Sequence, residues 1–362
     1  MKHRLLDILA CPACRHALTL IPGSVEEDGE ILEGELICDR GHFYPIVGGV
    51  PRLLLPQLLT QALRDYHPEV YDRYAGRLRE AGADIATEGD AKKRTLSSFS
   101  FQWNTFSEMY THWEENFRSY FEPLIEPVEF RGRLVLDAGC GFGRHAYYSE
   151  KFGAEVVAMD LSEAVNAAFT NTRPLADVHV IQGDLYNPPL RPAFDLIYCV
   201  GVIQHTPDPE AGFRSLSKLL NEAGELFVWV YGKRRGLYRL VDAMRHITTR
   251  TPMGMLYGAT YVLNLLCHLG FSLPYKVVRA IPGMRRLADK LPFTRYADLP
   301  LRVGHADWFD RLSVPLTAYF SRDDVEGWFR AADLQGVDIV SRDGIGWRAL
   351  GRRYDMDWRT CS

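Results

Sequence analysis

The sequence predicts an α/β chain built on a doubly wound, mostly parallel sheet, and three observations carry that expectation. The first is Leu134-Val135-Leu136-Asp137-Ala138-Gly139-Cys140-Gly141-Phe142-Gly143-Arg144. An apolar, β-prone run ends in an acid, glycines follow at alternate positions, and His145 to Phe152 reads as a helix closed by Gly153. Strand, glycine turn and helix in that order open a doubly wound domain, whose ligand sits at the carboxyl end of the strand. The second is the series of short apolar strands that follows: Ala154 to Met159, His179 to Asp184, Phe194 to Val200 running on through Gly201 to Pro207, and Glu225 to Tyr231. A helix around Ala211 to Leu220 and a turn at Gly224 precede the last of them. The third is the end of the chain. Ser321 is the N-cap of a helix running to about Ala332, with Asp323 and Asp324 in its first turn, and Gly336 to Val340 and Gly346 to Leu350 read as strands.

The glycine spacing selects the ligand. A dinucleotide fingerprint, G-x-G-x-x-G, would need glycine where Arg144 stands. The pattern D-x-G-x-G-x-G resembles motif I of the class I S-adenosylmethionine (SAM) methyltransferases instead. That resemblance implies a Rossmann-like sheet of seven strands, the seventh antiparallel between the fifth and sixth. It implies SAM as cofactor, with Asp137 ordering the loop and Gly139, Cys140, Gly141 and Gly143 admitting the methionine end, where a Cβ would take up space. Asp160, about 20 positions beyond the loop at the tip of the second strand, is placed with Leu161 to hold the ribose diol. Asp184 and Leu185, after the third strand, would meet adenine, and Val200 ends the fourth strand beside them. Upstream, Phe99, Phe101, Trp103, Phe106, Tyr110, Trp113 and Phe117 crowd into a short stretch. Aromatic helices in this position commonly lie over the cofactor pocket of the family, and Gln102 and Trp103 are the candidate contacts; simple packing against the sheet is the alternative.

At 362 residues the chain is long enough for about two domains. Its net charge of -4 gives no global argument for nucleic acid, and seven scattered cysteines suggest a reducing compartment. The first apolar residues are interrupted by Asp7 and are too short for a signal peptide. A cytoplasmic location is expected.

Cys11-Pro12-Ala13-Cys14 and Cys38-Asp39-Arg40-Gly41-His42 form two close pairs of metal-binding residue types, as a tetrahedral zinc site requires. Phe43 to Leu54 closely resembles the tail of the Trm112-like zinc ribbons, a resemblance covering about residues 1 to 56. The family's usual fourth cysteine is missing, so either His42 substitutes for it or the ribbon is metal-free. Zinc here would be structural, since a ribbon this small has too little core to fold without a staple. The expected organisation is a small β zinc ribbon at 1–56, a helical linker and aromatic lid at 57–118, and the SAM-binding core at 119–232. A helical cap inserted after the fifth strand follows at 233–315, and the end of the core at 316–362. Gln57 to Thr95 carries no motif and reads as a solvated linker with one or two amphipathic helices.

The insert is basic at both ends and uncharged from Gly254 to Leu273, long enough to span a bilayer but diluted by Asn264, His268 and glycines. An apolar cap over the acceptor pocket, or a helix lying on a membrane surface, is the expectation. His205, just past the fourth strand, is the candidate base, because an ordinary imidazole pKa of about 6.5 suits proton removal near neutrality. His305, Asp307, Trp308, Asp310 and Tyr319 are further acceptor-pocket candidates. The segment Val202-Ile203-Gln204-His205 resembles the methyltransferases of quinols, lipids and other metabolites rather than those of nucleobase amines. A small or lipid-like acceptor, methylated on O, N or C, is therefore expected. A ribbon in front of such a domain is also similar to ribosomal-RNA guanine methyltransferases, which keeps an RNA substrate as the alternative. A non-catalytic assembly partner is the second alternative, opposed by the intact glycine motif, Asp160 and Asp184.

Overall fold

Apolar strands buried on both faces belong in the middle of a parallel sheet, and the runs around the glycine loop occupy that place. The computed structural model describes residues 1–80, 90–233, 238–284, 296–342 and 344–353. The ribbon contributes β1 (Thr19–Leu20), β2 (Val25–Glu27), β3 (Glu30–Ile37), β4 (Phe43–Val47) and β5 (Val50–Leu53). Four helices follow: α1 (Pro56–Tyr66), α2 (Pro68–Glu80), α3 (Asp90–Thr105) and α4 (Trp113–Phe121). The core then runs β6 (Leu134–Ala138), α5 (Arg144–Lys151), β7 (Glu155–Asp160), α6 (Ala164–Thr172), β8 (Val178–Gly183), β9 (Phe194–Val200), α7 (Pro209–Ser217) and β10 (Leu220–Tyr231). The insert contains α8 (Tyr238–Thr248), α9 (Met253–Cys267), α10 (Leu273–Ala280) and α11 (Leu301–Ser313), and the chain returns through α12 (Arg322–Ala331), β11 (Gln335–Arg342) and β12 (Gly346–Arg352).

The core strands lie in the order β8-β7-β6-β9-β10-β12-β11. They are parallel as far as β10, and β12 runs antiparallel between β10 and β11. This is the seven-stranded arrangement the glycine motif implied. The fourth strand ends at Val200, as expected: Gly201 takes φ 77°, and Ile203–His205 forms one 3-10 turn. That turn lifts His205 over the carboxyl edge of the sheet.

Two expectations need correction. The ribbon is not a separate unit ahead of the core, because β5 pairs parallel with β8, with Arg52 opposite Gln182 and Leu53 opposite Gly183. An open strand edge presents a row of unpaired N–H and C=O groups, and β5 covers that edge. Backbone bonds from Ala10 N–H to the Pro189 carbonyl and from Arg191 N–H to the Ile8 carbonyl, each 2.9 Å, extend the junction. Nor is 57–95 a solvated linker in its described part. α1 buries Leu59 and Leu63, and α2 buries Tyr74 and Leu78. Tyr74 stacks on Phe43 of the ribbon at 5.3 Å, under the Arg77 guanidinium. Apolar residues four apart on a charged helix are enough to make such a face.

Candidate functional site

A cavity of about 850 Å³ opens at the carboxyl ends of β6, β7, β8 and β9. It is lined by Gly139, Cys140, Gly141, Asp160 and Leu161, by Asp184, Leu185 and Val200, and from above by Gln102, Trp103 and His205. Two expected cofactor residues stand behind it. Asp137 is buried under the loop, and Gly143 is the N-cap of α5 in a left-handed conformation.

The glycines also answer to constraints within the protein itself. A Cβ on Gly139 (φ 86°) would lie 2.3 Å from Val202 Cγ2, and one on Gly143 (φ 85°) 3.1 Å from Ala168 Cα. At Gly141 (φ 53°) the nearest atom would be Trp103 Nε1, 3.4 Å away. Gly139→Ala combines a left-handed backbone with a clash against a β-branched side chain, so we expect a loss of roughly 2–5 kcal/mol of stability. A thermal melt with a parallel SAM titration checks this; an unchanged melt would contradict the packing.

Asp160 organises the turn after β7. Its Oδ2 accepts from Gly141 N–H at 2.9 Å, and its Oδ1 accepts from Ser162 N–H at 2.8 Å and Ser162 Oγ at 2.7 Å. Burial raises its pKa, and those donors oppose the rise. Burial also lifts Asp137, to about 8, against a hydrogen bond from Tyr198 and with help from the Asp160 charge. Asp137 lies buried beneath the loop, with its Oδ2 unpartnered. One residue further on, Glu163 anchors the turn to the ribbon. Arg52 of β5 donates to Glu163 Oε2 at 3.1 Å and to Asn166 Oδ1 at 2.6 Å, and His67 lies 3.0 Å from the same Glu163 oxygen. Burial works against the Glu163 charge, yet His67 and Arg52 bring its carboxyl down to about 2.

The residues present fit SAM. Gln102 Oε1, His112 Nε2, His145 Nε2 and Trp229 Nε1 are buried without a partner, and all four side chains line the cavity. Unsatisfied polar atoms on a cavity wall are what a polar ligand would complete. Trp103 packs on Phe142 of the loop at 5.4 Å. The aromatic stretch is therefore a lid as well as core.

Beyond the loop the cavity continues under the insert. His205 Nδ1–H donates to the Leu316 carbonyl at 2.7 Å, which leaves the Nε2 lone pair as the acceptor. The ring sits edge-on to Phe99 and Tyr231, and burial lowers its pKa to about 4. The value near 6.5 expected from sequence does not survive that enclosure. Of the other acceptor candidates, Asp307, Asp310 and Tyr319 line the cavity. Burial pushes Asp310 up to about 6, with the neighbouring Asp307 adding to the rise and a Gln102 hydrogen bond opposing it. His305 does not face the cavity; it lies between α9 and α11, 3.1 Å from Thr260 Oγ1. Trp308 is also outside this cavity, packed in a small apolar cluster of the insert.

Tyr231, Arg245, Arg302 and Arg311 complete the acceptor end and were not anticipated as site residues. Arg245 donates to Tyr319 Oη at 3.1 Å and Asp242 Oδ1 at 3.0 Å. Position alone signals Tyr231, the last residue of the fifth strand; nothing local marks the arginines of the insert. The uncharged run is not the cap: α8, α11 and residues 296–299 wall the cavity, while α9 and α10 lie outside it.

The ribbon brings Cys11, Cys14, Cys38 and His42 together with their ligand atoms all within 4.8 Å of one another. Cys14 and Cys38 Sγ are 3.7 Å apart, and His42 Nδ1 lies 3.5 Å from Cys11 Sγ and 3.4 Å from Cys38 Sγ. A tetrahedral zinc with ligands near 2.3 Å has edges of about 3.8 Å between sulfurs, and shorter ones to nitrogen. The four residues fit that ion, with His42 in the place of the absent cysteine. Tyr44 Oη, 3.1 Å from Cys11 Sγ, supplies an outer contact to the cluster.

Two family models match this chain. Residues 136–228 match the family model of a methyltransferase domain, and residues 2–49 that of a Trm112p-like protein. A tRNA U34 carboxymethyltransferase of Psychromonas ingrahamii is 34% identical over 122 residues, 32% of this chain and 37% of that protein. A ubiquinone biosynthesis O-methyltransferase of Coxiella burnetii is 26% identical over 154 residues, 40% of this chain and 56% of that one. The chain thus spans between about a third and just over half the length of these curated relatives. Among solved structures, a Burkholderia thailandensis 1,6-didemethyltoxoflavin-N1-methyltransferase with bound S-adenosylhomocysteine superposes with a TM-score of 0.41 at 16% identity, covering 75% of this chain and 93% of that one.

Proposed function

We propose that this chain, a class I SAM-dependent methyltransferase domain joined to a Trm112-like domain, methylates a small or lipid-like metabolite on O, N or C. The observation that carries the reading is the acceptor end of the cavity, where His205, Asp310 and Tyr231 line one space under α8 and α11. Bound SAM supplies an activated methyl group on a sulfonium. The chain's part is to hold the acceptor in line with it and to exclude water, an orientation effect. His205, fixed in one tautomer by Leu316, takes a proton at Nε2 from a hydroxyl or similar nucleophile. Metabolite acceptors suit a walled cavity, and a relative named for ubiquinone biosynthesis supports that class. The reading includes a reducing, cytoplasmic setting, in which the ribbon thiolates stay available for zinc.

One observation favours a second reading, RNA as acceptor. Arg144, Arg245, Arg302, Arg311 and Arg342 line the same cavity, and another relative is named for tRNA. Guanidiniums in a groove are suited to phosphate. The enclosure by the insert weighs against it.

His205→Ala should leave SAM affinity intact and slow turnover by about 100-fold. Because the His205 pKa is lowered to about 4, its base form persists through neutrality. Turnover of the native chain should therefore show no imidazole limb between about pH 6.5 and about pH 8. Near-normal turnover in the variant would reduce His205 to a loop residue.

A further inference from the structure

A helix on the surface of a soluble domain turns its apolar stripe inward and its polar face to water. Along α9 and α10 the outward face is apolar as well. Helical structure is continuous from Met253 to Ala280, joined by a π-helical turn at His268–Ser272. Met255, Val262, Leu266, Leu269, Leu273 and Val277 are 68%, 54%, 61%, 52%, 46% and 58% exposed. Their spacing of three, four or seven residues aligns them on one outward stripe. The inward face is mixed: Leu256 and Tyr275 are buried there beside Thr260, Asn264 and Ser272. Thr260 Oγ1 meets His305 Nε2 at 3.1 Å, and Asn264 Nδ2 donates to the Leu301 carbonyl at 2.9 Å. At 1.5 Å per residue the stripe runs about 33 Å along the helix, a contiguous exposed apolar surface of the kind that marks an interaction face.

Charge identifies what meets this face. Between Lys233 and Pro300 the sequence holds twelve lysines and arginines against three aspartates, in a chain whose net charge is -4. In the described part, Arg250 precedes α9 and Lys276 lies on α10, both exposed, while Arg279 of α10 is paired with Asp298 at 3.0 Å. An apolar stripe with cations at its ends matches the boundary between acyl chains and anionic headgroups.

The helix lies on such a surface rather than crossing it. Its inner face is bonded to α11, which carries Arg302, Asp307 and Asp310 and is tied to α3 by the 2.6 Å Ser98–Ser313 hydrogen bond. Crossing would drag those charges into hydrocarbon; lying flat immerses only the outer stripe. We propose that the outward face of α9 and α10 docks this chain on an anionic phospholipid bilayer. The docking goes beyond the methyl-transfer reading and does not depend on which acceptor is used. It does set the other side of α11, where Arg302, Val303 and Ala306 wall the cavity, close to the membrane surface.

Flotation of the full chain with extruded vesicles tests it, comparing phosphatidylcholine alone with vesicles containing about one third phosphatidylglycerol. The chain should float with the anionic vesicles at least about tenfold more tightly than with the neutral ones, and less so in high salt. Val262→Asp combined with Leu266→Asp should abolish flotation while leaving the thermal melt and SAM affinity unchanged, since both side chains are exposed. Arg250→Gln combined with Lys276→Gln should weaken binding to anionic vesicles without touching the stripe. Failure of the native chain to float with either vesicle overturns the proposal, as does equal flotation of the aspartate variant. A native dimer that the aspartate variant splits, without flotation, would assign the face to a second copy and also overturn it. Methyl transfer that persists when flotation fails would separate this failure from any failure of the catalytic reading.

Discussion

Asp160→Ala should abolish measurable SAM binding. Both carboxylate oxygens are engaged with the turn that shapes the cofactor pocket, Oδ2 on Gly141 and Oδ1 on Ser162, and the side chain lines the cavity where a ribose diol would sit. Hydrogen bonds to a charged acceptor contribute about 1.5–3 kcal/mol each, so losing two of them weakens binding by more than about 100-fold. Ser162→Ala separates the two roles. It removes one tie of the turn and leaves the carboxylate, so affinity should fall far less than in Asp160→Ala. Isothermal titration of both variants is the check, and unchanged affinity in Asp160→Ala would remove the cofactor assignment.

Removing zinc should have the second large effect, and its reach comes from the sheet. Purified protein should contain one zinc per chain by elemental analysis, and Cys38→Ser should lose it. Structural zinc contributes about 10 kcal/mol or more to small ribbons, so we expect the melting temperature to fall by more than about 10 °C. The loss should not stop at the ribbon. β5 is paired to β8, and Arg52 of β5 holds Glu163 beside the Asp160 turn. SAM affinity should therefore fall together with the metal. A metal-free chain with an unchanged melt and unchanged SAM affinity would contradict both the site and its coupling to the cavity.

The core strands and the pocket floor were legible because their signals are local. Apolar runs of strand length, an acid at a strand tip and alternating glycines each act over a few residues, and Asp160, Asp184, Gln102, Trp103 and His205 all face the cavity. The metal cluster was legible for the same reason, two tight turns each carrying a pair. What stayed hidden depends on contacts between distant segments. The pairing of β5 with β8 joins residues about 130 apart, and Arg52 reads as an ordinary ribbon residue until Glu163 and Asn166 surround it. The need for glycine at 139 comes from Val202, which the motif cannot reveal. The shift in His205 comes from burial among Phe99, Tyr231 and Leu316, which the fold brings together from distant parts of the chain. The uncharged run from 254 to 273 was visible, but which of its faces points outward was set only by the packing of α11.

The most direct test of methyl transfer to a metabolite is the fate of label from tritiated-methyl SAM in a fractionated cell extract, with RNA, lipid and small-molecule pools counted separately. Label in the lipid or small-molecule pool, strongly reduced with His205→Ala, is the expected result. Label confined to RNA would contradict the metabolite acceptor and assign the arginine-lined cavity to a polynucleotide.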